Sequence, residues 1–546
     1  MSEEPRFDYL FIGTGNSALT AAALLTNAGK RVLMLEAHDI PGGYAQSFAW
    51  GKYFFCGQVH YIWGCGPGGK INAFLKHIGL EKEITFELYD PEGYDIMAMP
   101  DDKRVKIPYG WERLAESIEN SYPGQGESVR KFTGIIREIR KEVLNFPDKK
   151  IKWWEWILKA PKFRTLIRYR NKTLQDIYNE CGLSIEAQTA LIANAGNFMA
   201  PPERLSIFAY SALMAGYNTG AYYPTKHYKY YIDRVAEFIE SHRGSRIIYK
   251  AEVSAIETEG DKVTLVKTKD GRTFTAKTVI CNMDPKRAAD MIGLEKFGNG
   301  FKKRLQYTYS PSGVMIYLGL KDVDLKKYGF GAHNIWHCEQ FDMNKMWREQ
   351  KRGDFKKPWV FIATPTLHTK EGGTCPPGNH IMEVETYADY DELARLKEES
   401  YKKYEQRKNE IAERILDVVE KYYFPNLRKH IDVKVVGSPL SNEYWAWAPE
   451  GNAYGADLTP RQIGIARTTM ETPFKNFYFC NASAGYAGIN GTTGNGIVLF
   501  QKLTGEKIYN PANGPTEDEM AETAYRTAMR KEKGVRPHLS ARPCGR

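Results

Sequence analysis

Several groups of residues in this 546-residue chain could do chemistry. In Gly13-Thr14-Gly15-Asn16-Ser17-Ala18 the glycine spacing can bring backbone N–H groups up to a pyrophosphate at a helix N-terminus. Gly13 permits a tight turn, Gly15 a close backbone approach, and Ala18 the packing of a helix on a strand. Glu36, followed by Ala37, supplies a carboxylate where a pair of ribose hydroxyls would lie. Gly42-Gly43 makes a second glycine turn. Near the far end, Gly485, Gly488, Gly491, Gly494 and Gly496 precede an apolar run. There the N–H groups of Gly488 and Ile489 at a helix start could stabilise negative charge. His60, in GQVHYIW, is a candidate proton donor. No Ser-His-Asp set, nucleophile motif or metal-ligand spacing is visible, so no metal is expected.

For these groups to act together, particular elements must position them. An apolar strand over Tyr9–Ile12, a helix after Gly15 and a strand over Arg31–Leu35 give a βαβ start with Glu36 at its end. A helix over Tyr231–His242 leads into alternating strands with turns at Glu259-Gly260-Asp261 and Lys269-Asp270-Gly271. Residues 81–224 read as mainly helical and 300–470 as mixed, with one extended helix over Asp391–Tyr423. A last strand, NFYFC, precedes the glycine-rich stretch. No second G-x-G-x-x-G follows a strand, which argues against a built-in NAD(P)H domain. The expected fold is α/β. A discontinuous Rossmann-like, two-dinucleotide-binding-type domain (1–80, 225–300 and 470–510) carries an inserted mixed α+β substrate domain (81–224 and 301–469). Residues 511–546 read as a basic, disordered tail.

The run EAHDIPGGYAQSF resembles the extended fingerprint of two-dinucleotide-fold flavoproteins, and that resemblance implies FAD as the cofactor. Two further blocks carry a narrower likeness. TVICNMDP is similar to a family strand ending in Asn, here Asn282. SPLSNEYWAWAPEGNAYGAD followed by NFYFCNASAGYAGINGTTGNGIVL is similar to the ending of retinol saturases and carotenoid isomerases. Over about residues 5–505 the chain resembles the FAD-dependent phytoene desaturase, carotenoid isomerase and retinol saturase family, as a divergent member. The resemblance places the backbone of Val253 against the adenine. It makes Asn481 or Ser483 the partner of a ribityl hydroxyl, where many members have an acid. His60 is similar to the histidine of a G-x-H-Y-I motif, displaced by one residue. The implied activity is oxidoreduction at carbon–carbon bonds of a long apolar isoprenoid: desaturation, saturation or isomerisation. Trp445, Trp447, Tyr444 and Tyr454 are candidate walls for it. A fatty-acyl desaturase or isomerase, a flavin amine oxidase and a non-catalytic FAD-binding membrane adaptor stay open as alternatives. The electron donor or acceptor is also open.

Composition bounds the rest. Hydrophobic residues at 42% and charged residues at 26% suit a globular protein. The N-terminal residues lack the basic start and apolar run of a signal peptide, and the eight cysteines show no C-x-x-C pair. A reducing, cytoplasmic setting is expected. The net charge of +10 comes without a nucleic-acid motif, so no nucleic acid is expected. Residues 152–172 hold seven Lys/Arg and one acid among Trp153, Trp154, Trp156, Phe163 and Tyr169. That pattern suits peripheral contact with an anionic membrane surface.

Overall fold

A computed structural model describes residues 7–146, 155, 158–369, 371–511 and 514–532. Its first unit is the N-terminal βαβ. Strand β1 (Phe7–Ile12), helix α1 (Asn16–Asn27) and strand β2 (Val32–Leu35) are almost wholly buried. Such continuous apolar strands fit a parallel sheet covered on both faces. That sheet has five strands, all parallel, in the order Arg246–Ile248, β2, β1, Ala276–Cys281 and Phe477–Phe479. Its strands come from three distant stretches, so the parallel sheet closes only when they meet. The hairpins expected after residue 250 form an antiparallel sheet of Val253–Glu259, Lys262–Thr268 and Thr273–Phe274.

A second, seven-stranded sheet runs Ile431–Gly437, Ser312–Leu320, His380–Ala388, Val360–Ala363, Asn334–His337, Asp95–Ala98 and Arg104–Ile107. It is antiparallel except where Asn334–His337 pairs with Asp95–Ala98. Residues 81–224 are therefore less purely helical than their amphipathic stretches imply, because four short strands interrupt them. The hairpin Ser47–Trp50/Tyr53–Cys56 also differs from expectation. Tyr53 and Phe55 are buried against Met315, Tyr317 and Ile381 of the larger sheet, although they lie within the stretch assigned to the nucleotide domain. The helix over Asp391–Tyr423 is two helices, Tyr390–Glu399 and Tyr401–Tyr422. Ser400 between them has extended backbone (φ −170°), which breaks the run.

The tail departs most from its sequence reading. Glu517–Glu532 is a helix that buries Ala521, Ala524 and Ala528. It is tied to the body by Arg113–Glu522, Arg137–Asp518, Arg140–Glu517 and Lys531–Glu87 ion pairs. Its first-turn acids, Glu517, Asp518 and Glu519, favour its N-terminus. Residues 533–546 lie outside the described residues, as do Lys152, Trp153, Trp154 and Trp156. Among the described residues no helix is long and apolar enough to cross a membrane, and no cluster could hold a metal ion.

Candidate active site: a cleft between two helix N-termini

The first glycine turn is shaped as its residues require. Gly13 has φ +95°, a conformation that only glycine takes without strain. At Gly15 an added Cβ would overlap Asn282 Oδ1. That oxygen accepts from Gly15 N at 2.9 Å, while Asn282 Nδ2 donates to Ser17 Oγ (2.9 Å) and to Cys480 O (2.5 Å). Asn282 therefore clamps the turn to the neighbouring strand end. The second turn docks on the first: Gly42 N donates to Thr14 O at 3.1 Å, and Gly42 has φ +117°. A Cβ on Gly43 would sit 3.3 Å from Gly15 Cα.

Beside these turns a cleft of about 1820 Å³, its open mouth included, runs along the carboxyl ends of the parallel strands, where open α/β sheets bind ligands. Two helices start on it. Helix α1, with Gly15 as N-cap, and the helix Gly488–Thr504, with Ala487 as N-cap, both lack a side-chain cap. Their first N–H groups are thus free of side-chain partners and add the positive ends of two helix dipoles. Asn16 holds the two starts together, its Nδ2 lying 2.8 Å from Thr492 Oγ1 and 3.2 Å from Ile489 O. Gly496 allows the close crossing, since a Cβ there would press on Thr20 and Ser17 O.

Of the residues singled out in the sequence, Gly13, Gly15, Asn16, Ser17, Glu36, Ala37, Gly42, Gly43, Val253, Asn282, Asn481, Ser483, Gly488, Ile489 and His60 line this cleft. Ala18 does not; it is fully buried behind the turn. Several do other work than contact a ligand through their side chains. Asn481 donates to Met283 O and accepts from Ala484 N, both at 2.9 Å. That spends its amide on the protein, while Ser483 Oγ accepts from Ala456 N at 3.1 Å and its hydroxyl bonds to Tyr307. The carboxylate of Glu36 accepts from Thr14 N and His38 N, each at 2.9 Å, and from the Thr14 hydroxyl, which fixes it at the cleft edge with one lone pair to spare.

Beyond Glu36 the cleft is roofed by tryptophans. Trp447 Nε1 donates to His38 Nε2 at 3.1 Å, and the Arg287 guanidinium lies 4.6 Å from the Trp447 ring centre. Trp445 packs on His38, with ring centres 5.5 Å apart. Both indoles, expected as candidate walls for a long apolar substrate, therefore lie at the Glu36 end of the cleft, packed on His38. The cause is local: Trp447 ends the helix Pro439–Ala446 in the left-handed region (φ +54°), which turns its indole onto His38. Tyr444 is 67% exposed and off the cleft, while Tyr454 does line the inner part, donating to Gly196 O at 3.0 Å.

At that inner end His60 Nδ1 lies 2.8 Å from Glu383 Oε2, and His60 Nε2 lies 3.8 Å from Glu385 Oε2. The side chains of Glu383 and Glu385 are only 1% and 8% exposed. Burial works against a charged His60, but the Glu383 hydrogen bond and both carboxylates outweigh it and raise its pKa. Burial pushes Glu385 up to about 7, with His60 opposing and Glu383 adding to the rise. Sequence reasoning missed both acids. In HIMEVETYA they alternate with apolar residues, a pattern that reads as a strand with one solvated face. Here that face looks inward, onto the cleft.

The comparisons agree with this geometry. Residues 19–497 match the family of flavin containing amine oxidoreductases. The chain belongs to that family. The flavin containing amine oxidoreductase fold accounts for the parallel sheet and its inserted second sheet, and the protein is an FAD-dependent oxidoreductase. The all-trans-retinol 13,14-reductase of Danio rerio is 23% identical, over 91% of this chain and 86% of its own. The chloroplastic prolycopene isomerase of Arabidopsis thaliana is 25% identical, over 86% of this chain and 77% of its own. Among solved structures, putrescine oxidase bound to putrescine superposes with a TM-score of 0.63 at 14% identity, covering 92% of this chain and 99% of that one. An oxidoreductase from Methanosarcina mazei gives 0.58 at 18% identity, covering 91% and 100%. At such identities the solved structures speak to the fold.

Proposed function

We propose that this flavin containing amine oxidoreductase changes the carbon–carbon bonds of a long apolar isoprenoid, saturating, desaturating or isomerising them. The reductase and isomerase relatives, each aligned over most of the chain, supply the substrate class. The observation that carries the reading is the pairing, in one cleft, of two uncapped helix starts with a buried acid–base group at the inner end. FAD bound there would exchange a hydride equivalent with substrate carbon. The protein's own residues do the rest. The Gly13–Gly15 turn and α1 would receive the pyrophosphate, Glu36 would accept from ribose hydroxyls, and the N–H groups of Gly488 and Ile489 would stabilise negative charge on the reduced flavin. Met199, Trp336 and Tyr454 exclude water from the inner end, and His60 keeps a proton at Nδ1 against Glu383.

Amine oxidation, the activity in the family's name, would draw on the same acids, because buried carboxylates suit an ammonium group. His60 already supplies their cation, which favours the apolar substrate. Expression in cells fed candidate polyenes, retinoids and amines, with mass spectrometry of the extracts, tests the reading. A two-mass-unit change or an altered retention at constant mass in a polyene supports it; deaminated amine as the sole product overturns it.

A second element of the proposal is membrane contact. Val143, Leu144, Phe146, Leu158 and Ile167 are exposed beside Lys159, Lys162 and Arg164, and Phe146 packs on Phe163 at 5.2 Å between ring centres. Apolar side chains ringed by cations suit an anionic bilayer surface. Sedimentation with phosphatidylserine vesicles should fall at least tenfold in a Lys159→Glu, Lys162→Glu, Arg164→Glu variant; unchanged binding rules it out.

A further inference from the structure

Resting on the carbon–carbon reading, the geometry points to Glu385 as the group that exchanges the substrate's proton, with His60 and Glu383 behind it as the relay that restores it. Glu385 is on the cleft wall, and Glu383 is not. The two sit on the same face of the strand His380–Ala388, two residues apart, so their side chains are neighbours in a buried site. Both lie near His60, but at unequal reach: 2.8 Å from Glu383 and 3.8 Å from Glu385. His60 Nε2 and Glu383 Oε1 are buried and have no hydrogen-bond partner. Two carboxylates this close share one cation, so the cluster carries a net negative charge unless it also holds a proton. The low dielectric makes that proton favourable. Burial and Glu383 keep Glu385 protonated to about pH 7.

The groups around the pair add no second cation. Tyr454 faces Glu385, Cys56, Tyr89 and Tyr223 face Glu383, and Tyr317 faces Glu383 first and Glu385 second. All five are held neutral by burial, which raises each pKa. The charge of the cluster is thus set by Glu385, His60 and Glu383.

In saturation one olefinic carbon takes a hydride equivalent from the flavin, reduced beforehand by an external two-electron donor. The Glu385 O–H bond breaks, and the π pair forms the second C–H bond with that proton. Glu385 is left as a carboxylate. His60 returns a proton to it through Nε2 and is recharged by a proton taken up from bulk solvent. In desaturation every transfer reverses, and in isomerisation the proton added to one carbon is later handed back to Glu385.

The test has arms independent of turnover. In the wild-type holoenzyme, infrared titration should show a buried carboxyl C=O band that disappears with a midpoint near pH 7, and Glu385→Gln should abolish it. Imidazole NMR of the holoenzyme should show the His60 pKa falling in Glu385→Gln and falling further in Glu383→Gln. With a substrate in hand, Glu385→Gln should cut turnover about 100-fold and remove the limb near pH 7 from the kcat profile. Glu385→Asp should restore part of both, with FAD content unchanged. No carboxyl band in the wild type, or a pH profile that Glu385→Gln leaves intact, overturns the proposal. If the wild type turns over no polyene while the band and the His60 shifts are present, the carbon–carbon reading fails and the proton store stands. Should Glu385→Gln not fold, Glu385→Asp decides instead: the band must move with it, whereas a band from buried Asp95, whose carboxyl burial pushes up to about 6, would stay in place.

Discussion

Asn282 shows how one side chain can make a glycine obligatory. Its amide bridges the first glycine turn, the start of α1 and the end of the strand Phe477–Phe479, through Gly15 N, Ser17 Oγ and Cys480 O. The usual account of the second glycine is room for a pyrophosphate; here Asn282 already fills the space a Cβ would need. A Gly15→Ala variant must therefore displace the clamp before any ligand arrives. We expect it to fold but to purify with at least tenfold less FAD, about 1.4 kcal/mol of lost affinity, read from the flavin absorbance per chain. Undiminished flavin content would refute the role given to Asn282. Gly13, Gly15, Gly42, Gly43 and Glu36 were legible in the sequence because each acts through its own backbone or through residues close by. Asn282 was legible only as a strand end, since its partners lie 265 and 198 residues away.

At the scale of elements, the segment from Pro439 to Gly451 forms a cover over the Glu36 end of the cleft. Trp447, Glu450 and Gly451 all have positive φ, at +54°, +56° and +59°. A tryptophan held there costs on the order of 1–3 kcal/mol, offset by its contacts with His38 and Arg287. Two substitutions separate these effects. Trp447→Gly removes the strain and the indole together, so thermal stability should change by less than about 1 kcal/mol. FAD release, followed by the recovery of flavin fluorescence, should quicken at least fivefold. Trp447→Phe, which keeps a ring, should release FAD more slowly than Trp447→Gly. Equal release rates in all three proteins would remove the cover from the argument. Nothing in SNEYWAWAPEG marks this use, because aromatic residues near a turn read equally well as substrate wall, core or cover.

For the whole molecule, the helix Glu517–Glu532 is the strongest departure from a disordered tail. Its four ion pairs are largely exposed, apart from Arg140–Glu517, where both side chains are under 20% exposed. Exposed pairs contribute roughly 0–1 kcal/mol each, so the buried alanine face and the packing of Arg113 on Tyr525, 3.8 Å from the ring centre, hold more of the helix in place. Raising salt to 1 M should accordingly lower the unfolding free energy by no more than about 2 kcal/mol. Removing residues 514–546 should lower it by more, as seen in a thermal melt. A larger loss from salt than from truncation would reverse that order.

The likeness of its motifs to known flavoproteins supplied the FAD class of cofactor; by itself the sequence determined the βαβ start and its glycine turn. Those features rest on local turn chemistry and on apolar runs whose period sets the element. The tertiary structure alone decided which face of HIMEVETYA looks inward, that His60 pairs with Glu383 across 323 residues, and that Trp447 covers one end of the cleft. It also placed Glu517–Glu532, within the stretch read as a disordered tail, as a docked helix. A strand's alternation states that two faces differ; which of them is buried depends on what the rest of the chain lays against it.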